Sequence, residues 1–314
     1  MARAFTFPGQ GSQVVGMGKE LADAYPAAKA VFDEVDEALG EGLSRLIWEG
    51  PQEDLTLTAN TQPALMAVSL ATTAALQSEG VMLADAASYV AGHSLGEYSA
   101  LAAAGSLTVA DTARLLRIRG EAMQAAVPVG EGAMAALLGL DLETAQTVAA
   151  QAAEGDVCQA ANDNAPGQIV VSGSKAAVER AIANAKDHGA KRAILLPVSA
   201  PFHCALMAPA ADRMKAALAD VDLKAPVVPV VANVLAQPIS DPDVIRARLV
   251  EQVTGTVRWR ETVSWLAANG VDTLYEIGAG KVLTGLVRRI SRETQAVAIN
   301  TPEDVATVAA DINT

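Results

Sequence analysis

The chain has 314 residues, 51% of them hydrophobic but only 4% aromatic, and a formal net charge of -13. It is long enough to bury a large core in one big domain or two, and a core drawn mainly from Ala, Val and Leu suits helices packed on a parallel sheet. The acidic balance argues against nucleic acid as a partner, and no apolar run is long and pure enough to span a bilayer.

The first residues, Met1-Ala2-Arg3-Ala4-Phe5-Thr6-Phe7-Pro8, lack the long apolar stretch of a signal peptide, so a soluble cytoplasmic protein is expected. Residues 4–7 read as a first strand, ended by Pro8 and the glycine-rich Gly9-Gln10-Gly11-Ser12-Gln13. Helical patterns follow around 17–24 and 27–38, and 63–77 is a long apolar helix. A β-prone run, Tyr89-Val90-Ala91, leads into Gly92-His93-Ser94-Leu95-Gly96, and helix-prone residues follow from 97 to 104. Strand, sharp turn and helix around a G-x-S-x-G pentapeptide are the setting of a nucleophile elbow. Residues 108–126 form another helix, with Thr108 and Asp111 spaced as a capping box.

The pattern then changes. Residues 133–140 read as a strand, 141–153 as a helix, 157–161 and 168–172 as strands joined by the turn-rich 162–167, 174–188 as a helix closed by Gly189, and 192–196 as a strand. This β-α-β-β-α-β order is the ferredoxin-like unit. It is expected as a small subdomain over 128–197, inserted into a hydrolase-like α/β body made of 1–127 and 198–314. A loop at 198–203 returns the chain to that body, and a helix runs to about 219. Strands are expected at 227–231, 273–277 and 296–299, helices at 243–253 and 260–269, and a helix with basic residues after Gly278-Ala279-Gly280. The last of these strands is expected to complete the body. Cys158 and Cys204 lie in different regions and suggest neither a disulfide framework nor a metal cluster.

Ser94 needs a base, and there are only three histidines. His93 adjoins the serine at a sharp turn, points away from it, and is expected to pack or bond locally. His188 ends a charged helix and reads as solvated. His203 lies far downstream, where a hydrolase-type order places its base. Arg119 has Leu115, Leu116, Ala122 and Met123 as its helical neighbours, so it shares an apolar face. A buried guanidinium requires a partner: either an internal Asp or Glu, or the carboxylate of a substrate. Gly11 and Gly16 have Walker spacing, but Met17 stands where Lys is required, which excludes a nucleotide loop. The Gly9–Gln13 stretch is either a plain turn or a backbone donor to an oxyanion.

Together, Phe7-Pro8-Gly9-Gln10-Gly11-Ser12-Gln13, Gly92-His93-Ser94-Leu95-Gly96-Glu97-Tyr98-Ser99-Ala100, Arg119-Gly120, Ala161-Asn162 and Phe202-His203 match a known set of motifs in order and spacing. Over nearly its whole length the chain resembles the malonyl-CoA:acyl-carrier-protein transacylases of type II fatty-acid synthesis. Acyltransferase domains of polyketide synthases share the GQGSQ and GHSLGE pair. The resemblance implies that Ser94 is the acylated nucleophile and His203 its base. It assigns the oxyanion hole to the main-chain amides of Gln10 and Leu95, and the free carboxylate of a malonyl group to Arg119. The histidine would be oriented by a backbone carbonyl at Gln252 rather than by an aspartate, and Gln13 and Asn162 would line the pocket. Phe202 stands where many relatives carry Ser; malonyl-selective polyketide domains carry Phe there, so malonyl is expected. The implied partners are malonyl-CoA and acyl carrier protein, with no cofactor or metal, coenzyme A entering as part of the substrate, and a monomeric enzyme. Such carrier proteins are acidic, so a local basic patch is expected, either within 281–292 (Lys281, Arg288, Arg289 and Arg292) or at Lys191-Arg192. Two other functions compete. A serine esterase or thioesterase explains Ser94 and His203 but not a buried Arg119, and a non-catalytic scaffold would bind carrier protein without ever being acylated.

Overall fold

The computed structural model describes residues 2–198 and 200–313. Met1 and Thr314, at the ends of the expected body, and Ser199, in the expected return loop, lie outside the described residues. Among the described residues, ten strands form two sheets. They are β1 Ala2–Phe7, β2 Tyr89–Gly92, β3 Gly132–Leu138, β4 Cys158–Ala165, β5 Gln168–Ser174, β6 Arg192–Leu195, β7 Val230–Ala232, β8 Gln237–Ile239, β9 Val271–Ile277 and β10 Gln295–Ile299.

The larger sheet has the order β10-β9-β1-β2-β7-β8 and is parallel except for the β7–β8 pair. Side chains alternate along each strand, and here both faces are covered. Phe5, Val90, Val230 and Tyr275 enter one apolar cluster, while their neighbours Ala4, Ala91, Val231 and Leu274 enter another, built around Trp259 and Val263. Burial on both faces suits the apolar stretches Tyr89-Val90-Ala91 of β2 and Val230-Val231-Ala232 of β7. The helix Thr58–Ser78 is buried on nearly every side, as its all-round apolar sequence requires. It starts five residues before Pro63.

The smaller sheet has the order β4-β5-β3-β6, antiparallel throughout. The helices Leu142–Ala153 and Lys175–Ala185 enclose its own core of Leu137, Val148, Ile169, Val171 and Val178. The opposite side of the same strands, Met134, Ala136 and Val170, joins the main core. The expected β-α-β-β-α-β order is present.

Several elements differ from expectation. β4 continues through 162–165, leaving Pro166-Gly167 as the turn. Its polar residues are not loop residues, because they face partners in the rest of the chain. Asp163 pairs with Arg260 at 2.7 Å, the amides of Asp163 and Val257 donate to the carbonyls of Val257 and Ala161 at 2.9 Å each, and Thr256 Oγ1 donates to Ala160 O at 2.6 Å. Of the expected strand at 227–231 only 230 and 231 form, β7 running on to Ala232, and Val227 is exposed. The chain does not end its structure at β10. A final helix, Pro302–Asn313, buries Val305, Val308 and Ala309. Short helices at Leu43–Glu49, Gln52–Thr56 and Leu83–Ala86 are also additional. The helix expected to reach 188 ends at Ala185. Among the described residues no helix is long and apolar enough to cross a membrane.

Candidate active site

The G-x-S-x-G turn joins the end of β2 to the helix Gly96–Ala103. Ser94 has φ 53, left-handed for a residue with a side chain, and such backbone persists only where its surroundings over-determine it. Two things do so here. A Cβ on Gly92 would lie 1.9 Å from the backbone of Gly96, and one on Gly96 would lie 2.2 Å from Phe7 O, so the close approach admits only glycine at both positions. Asn233, just beyond the neighbouring strand β7, then braces the turn: Ser94 N–H donates to its Oδ1 at 2.8 Å, and its Nδ2 donates to Gly92 O at 2.7 Å.

His203 lies in the loop that follows the small sheet and is also left-handed, with φ 58. Its Nδ1 is 2.8 Å from Gln252 O and its Nε2 is 2.8 Å from Ser94 Oγ. A carbonyl can only accept, so Nδ1 carries the hydrogen and Nε2 presents its lone pair to the serine hydroxyl. Burial, reinforced by the nearby Arg119 cation, pulls the imidazole pKa down to about 3, which keeps it neutral. This is the geometry of a general base oriented by a backbone carbonyl. The other two histidines are occupied elsewhere. His93 is held at 2.8 Å by Asn164 of β4 and packs on Trp259, so its bond is long-range rather than local. His188 bonds Gln151 at 3.0 Å.

Arg119, on the helix Val109–Ala125, is 1% exposed. Its Nη1 donates to Gln62 Oε1 and its Nη2 to Gln252 Oε1, both at 2.8 Å, and Nη2 reaches Ser94 Oγ at 3.2 Å. The Tyr98 ring lies against it, 5.6 Å from centroid to guanidinium carbon. Among the described residues no carboxylate bonds it directly, and its Nε–H is buried without a partner. Of the two partners expected from the sequence, an internal Asp or Glu in contact is therefore not the one present.

A cavity of about 460 Å³ opens over these groups. Gln10, Gln13, Ser94, Leu95, Arg119, Asn162, Phe202 and His203 all line it, while Gln252 sits behind, between the guanidinium and the turn. Gln13 Oε1 accepts Gly11 N–H at 2.7 Å and closes the glycine-rich loop. A register shift in β4 between Ala160 and Asn162 sets Asn162 at the cavity wall. Three further residues belong to the site: Gln62, Asn233 and Glu97. Gln62 was within reach of the sequence, as a polar residue at the start of an apolar helix. Glu97 is 1% exposed, and its Oε2 accepts Gln252 Nε2–H at 2.8 Å and Asn233 N–H at 3.1 Å.

Residues 4–310 match the acyl transferase domain family. Over 303 residues the chain is 50% identical to the malonyl CoA-acyl carrier protein transacylase of Bacillus subtilis (strain 168), covering 96% of this chain and 94% of that one. Its structure is similar to that of an acyl-carrier-protein-S-malonyltransferase from Bartonella henselae, with TM-score 0.98, 58% identity and 100% of both chains covered. It is also similar to a malonyl-transacylase solved in complex with a type II PKS acyl-carrier protein, with TM-score 0.96, 44% identity, and 99% of this chain and 100% of that chain covered.

Proposed function

The chain belongs to the acyl transferase family, among its malonyl CoA-acyl carrier protein transacylases, and from that premise we propose how its residues move a malonyl group from coenzyme A to the phosphopantetheine thiol of acyl carrier protein. Ser94 Oγ attacks the thioester carbonyl while its proton passes to His203 Nε2. The main-chain amides of Gln10 and Leu95 receive the oxyanion, each such donor being worth about 2.7–4 kcal/mol. As the intermediate collapses, the carbon–sulfur bond breaks and the imidazolium returns its proton to the departing thiolate. A malonyl ester remains on Ser94. The carrier thiol then gives its proton to His203 and attacks the ester, and Ser94 recovers the proton as its alkoxide leaves.

The observation that carries this reading is the buried guanidinium 3.2 Å from the nucleophile, to which no carboxylate among the described residues is bonded. Arg119 lines the cavity and none of its described partners carries a negative charge, so a substrate carboxylate entering there meets a cation able to form charge-assisted, directional hydrogen bonds. Gln13, Asn162 and Phe202 bound the acyl space. Action as a monomer is part of the same reading. The location read for it is the cytoplasm, and the division into a catalytic body of 1–127 and 198–314 with an insert of 128–197 assigns the nucleophile and base to the first and one cavity wall to the second. Incubation with malonyl-CoA should add one malonyl group to the intact protein by mass, and Ser94→Ala should abolish the addition. Acylation that survives in Ser94→Ala would overturn the reading.

An acidic carrier must meet local positive charge on an acidic enzyme. Lys281, Arg288, Arg289 and Arg292 are exposed, on and beside the helix Val282–Ile290. Arg289 also bonds the carbonyl of Pro166 and the side chain of Gln168, which places this patch beside the small sheet. Reversing Arg288 and Arg289 to Glu should raise the KM for carrier protein about tenfold, on the scale of two reversed surface charges, with little effect on hydrolysis of malonyl-CoA. An unchanged KM would remove the patch from the docking surface.

A further inference from the structure

We infer that Glu97 is a positioning residue for substrate selection: acting through the side-chain amide of Gln252, it serves Arg119 as a remote counter-charge without bonding it directly, so that the guanidinium can take the substrate carboxylate. This rests on the malonyl-transfer reading above and adds a residue to it.

The geometry runs in a line. Gln252 Nε2 donates to Glu97 Oε2 at 2.8 Å and to Ser94 O at 2.9 Å, and Gln252 Oε1 accepts from Arg119 Nη2 at 2.8 Å. An ionised carboxylate and a carbonyl can only accept, and a guanidinium can only donate. The amide therefore has one allowed orientation, which Glu97 fixes together with Ser94 O and Arg119. A carboxylate bonded directly to Arg119 would occupy the edge that a malonyl group needs. Placed one amide away, the same charge compensates the cation without blocking it. The main-chain N–H of Asn233 also ends on Glu97, and the side chain of Asn233 holds Ser94. Gln252 itself orients His203 through its main-chain oxygen. Glu97 thus underlies the acid-selecting group, the base and the nucleophile at once.

The arrangement depends on Glu97 being ionised. Burial pushes its pKa up to about 7, against the opposing pull of its two hydrogen bonds and of Arg119. The ionisable groups acting on it are Arg119, from the helix Val109–Ala125, and Tyr98, on its own helix. Neutral Glu97, or a glutamine in its place, offers a donor. Either change removes the negative charge that holds Gln252 Nε2 and that, through the amide, compensates the guanidinium seated on Gln252 Oε1.

The test compares kcat/KM for malonyl and acetyl thioesters. The native protein must first prefer malonyl; absence of that preference defeats the malonyl-transfer reading itself. Given the preference, Glu97→Gln should lower the malonyl-to-acetyl ratio about tenfold, the scale of one hydrogen bond to a charged group. In an Arg119→Ala background the same substitution should leave the ratio unmoved. A ratio that is unchanged in Glu97→Gln, or an equal loss for both acyl groups that recurs in the Arg119→Ala background, overturns the inference and leaves the function standing. Should Glu97→Gln fail to fold, the native protein decides. Its malonyl-to-acetyl ratio should fall on acidification with a midpoint near pH 7, well above the range in which His203 or a substrate carboxylate titrates, and a flat ratio from about pH 6 to 8.5 overturns the inference.

Discussion

His203→Ala slows acylation of Ser94 by about 10²- to 10⁴-fold, the usual contribution of a positioned general base. Nothing else in the site can replace the imidazole. His93 is held by Asn164 and His188 by Gln151, and the remaining neighbours of Ser94 Oγ include a guanidinium, which can only donate. Rapid-quench measurement of the malonyl-enzyme burst reads the step directly, without interference from carrier-protein docking. A burst within a few-fold of native would take His203 out of the role of base. The low pKa of the imidazole makes it a weak base but its conjugate acid a strong one, so a proton taken from Ser94 is readily given up to the departing thiolate.

Arg119→Ala should cost malonyl transfer about 2–5 kcal/mol, the range for truncating one partner of a buried charge pair, or about thirty- to several-thousandfold in kcat/KM. Acetyl transfer should be retained or improved. Two physical effects separate the acyl groups. The clamp for a carboxylate is gone, which acetyl never used. The cation that holds down the basicity of His203 is gone as well, which favours proton abstraction for either group. In the native enzyme a bound malonyl carboxylate offsets that cation, so the substrate itself restores basicity to the group that activates the nucleophile. Steady-state kinetics with both thioesters checks this, and a parallel loss for malonyl and acetyl would show that Arg119 merely supports the fold.

The parts of the site legible in the sequence were those with local signatures. The elbow is five contiguous residues. Arg119 breaks a 3.6-residue apolar stripe. His203 follows from having three histidines, two with ordinary surroundings. Gln252 as the orienting group rested on family resemblance alone, because any residue can present a carbonyl. Asn233 gave no signal, and Glu97 stood only inside the matched GHSLGE motif, with no role attached to it. Their bonds span 139 and 136 positions, and Glu97 reads as an ordinary first-turn acid of a helix, favoured there by the dipole. Its burial comes from elements that converge only in three dimensions. The fold was legible wherever apolar periodicity was strong. It failed in β4, where Asn162, Asp163 and Asn164 are turn-forming residues, but the backbone there bridges Val257 while the side chains of Asp163 and Asn164 go to Arg260 and His93. It failed also at the last helix, although Thr301 and Asp304 form a capping pair there, with Thr301 N–H donating to Asp304 Oδ2 at 3.0 Å and Asp304 N–H to Thr301 Oγ1 at 3.2 Å.

The seam along β4 puts the small sheet in mechanical series with the base. Thr256, Val257 and Arg260 grip β4, and a short run of chain leads back from them to Gln252, whose carbonyl holds the imidazole. The small sheet and the carbonyl that orients the base are thereby held by one short stretch of chain, residues 252–260.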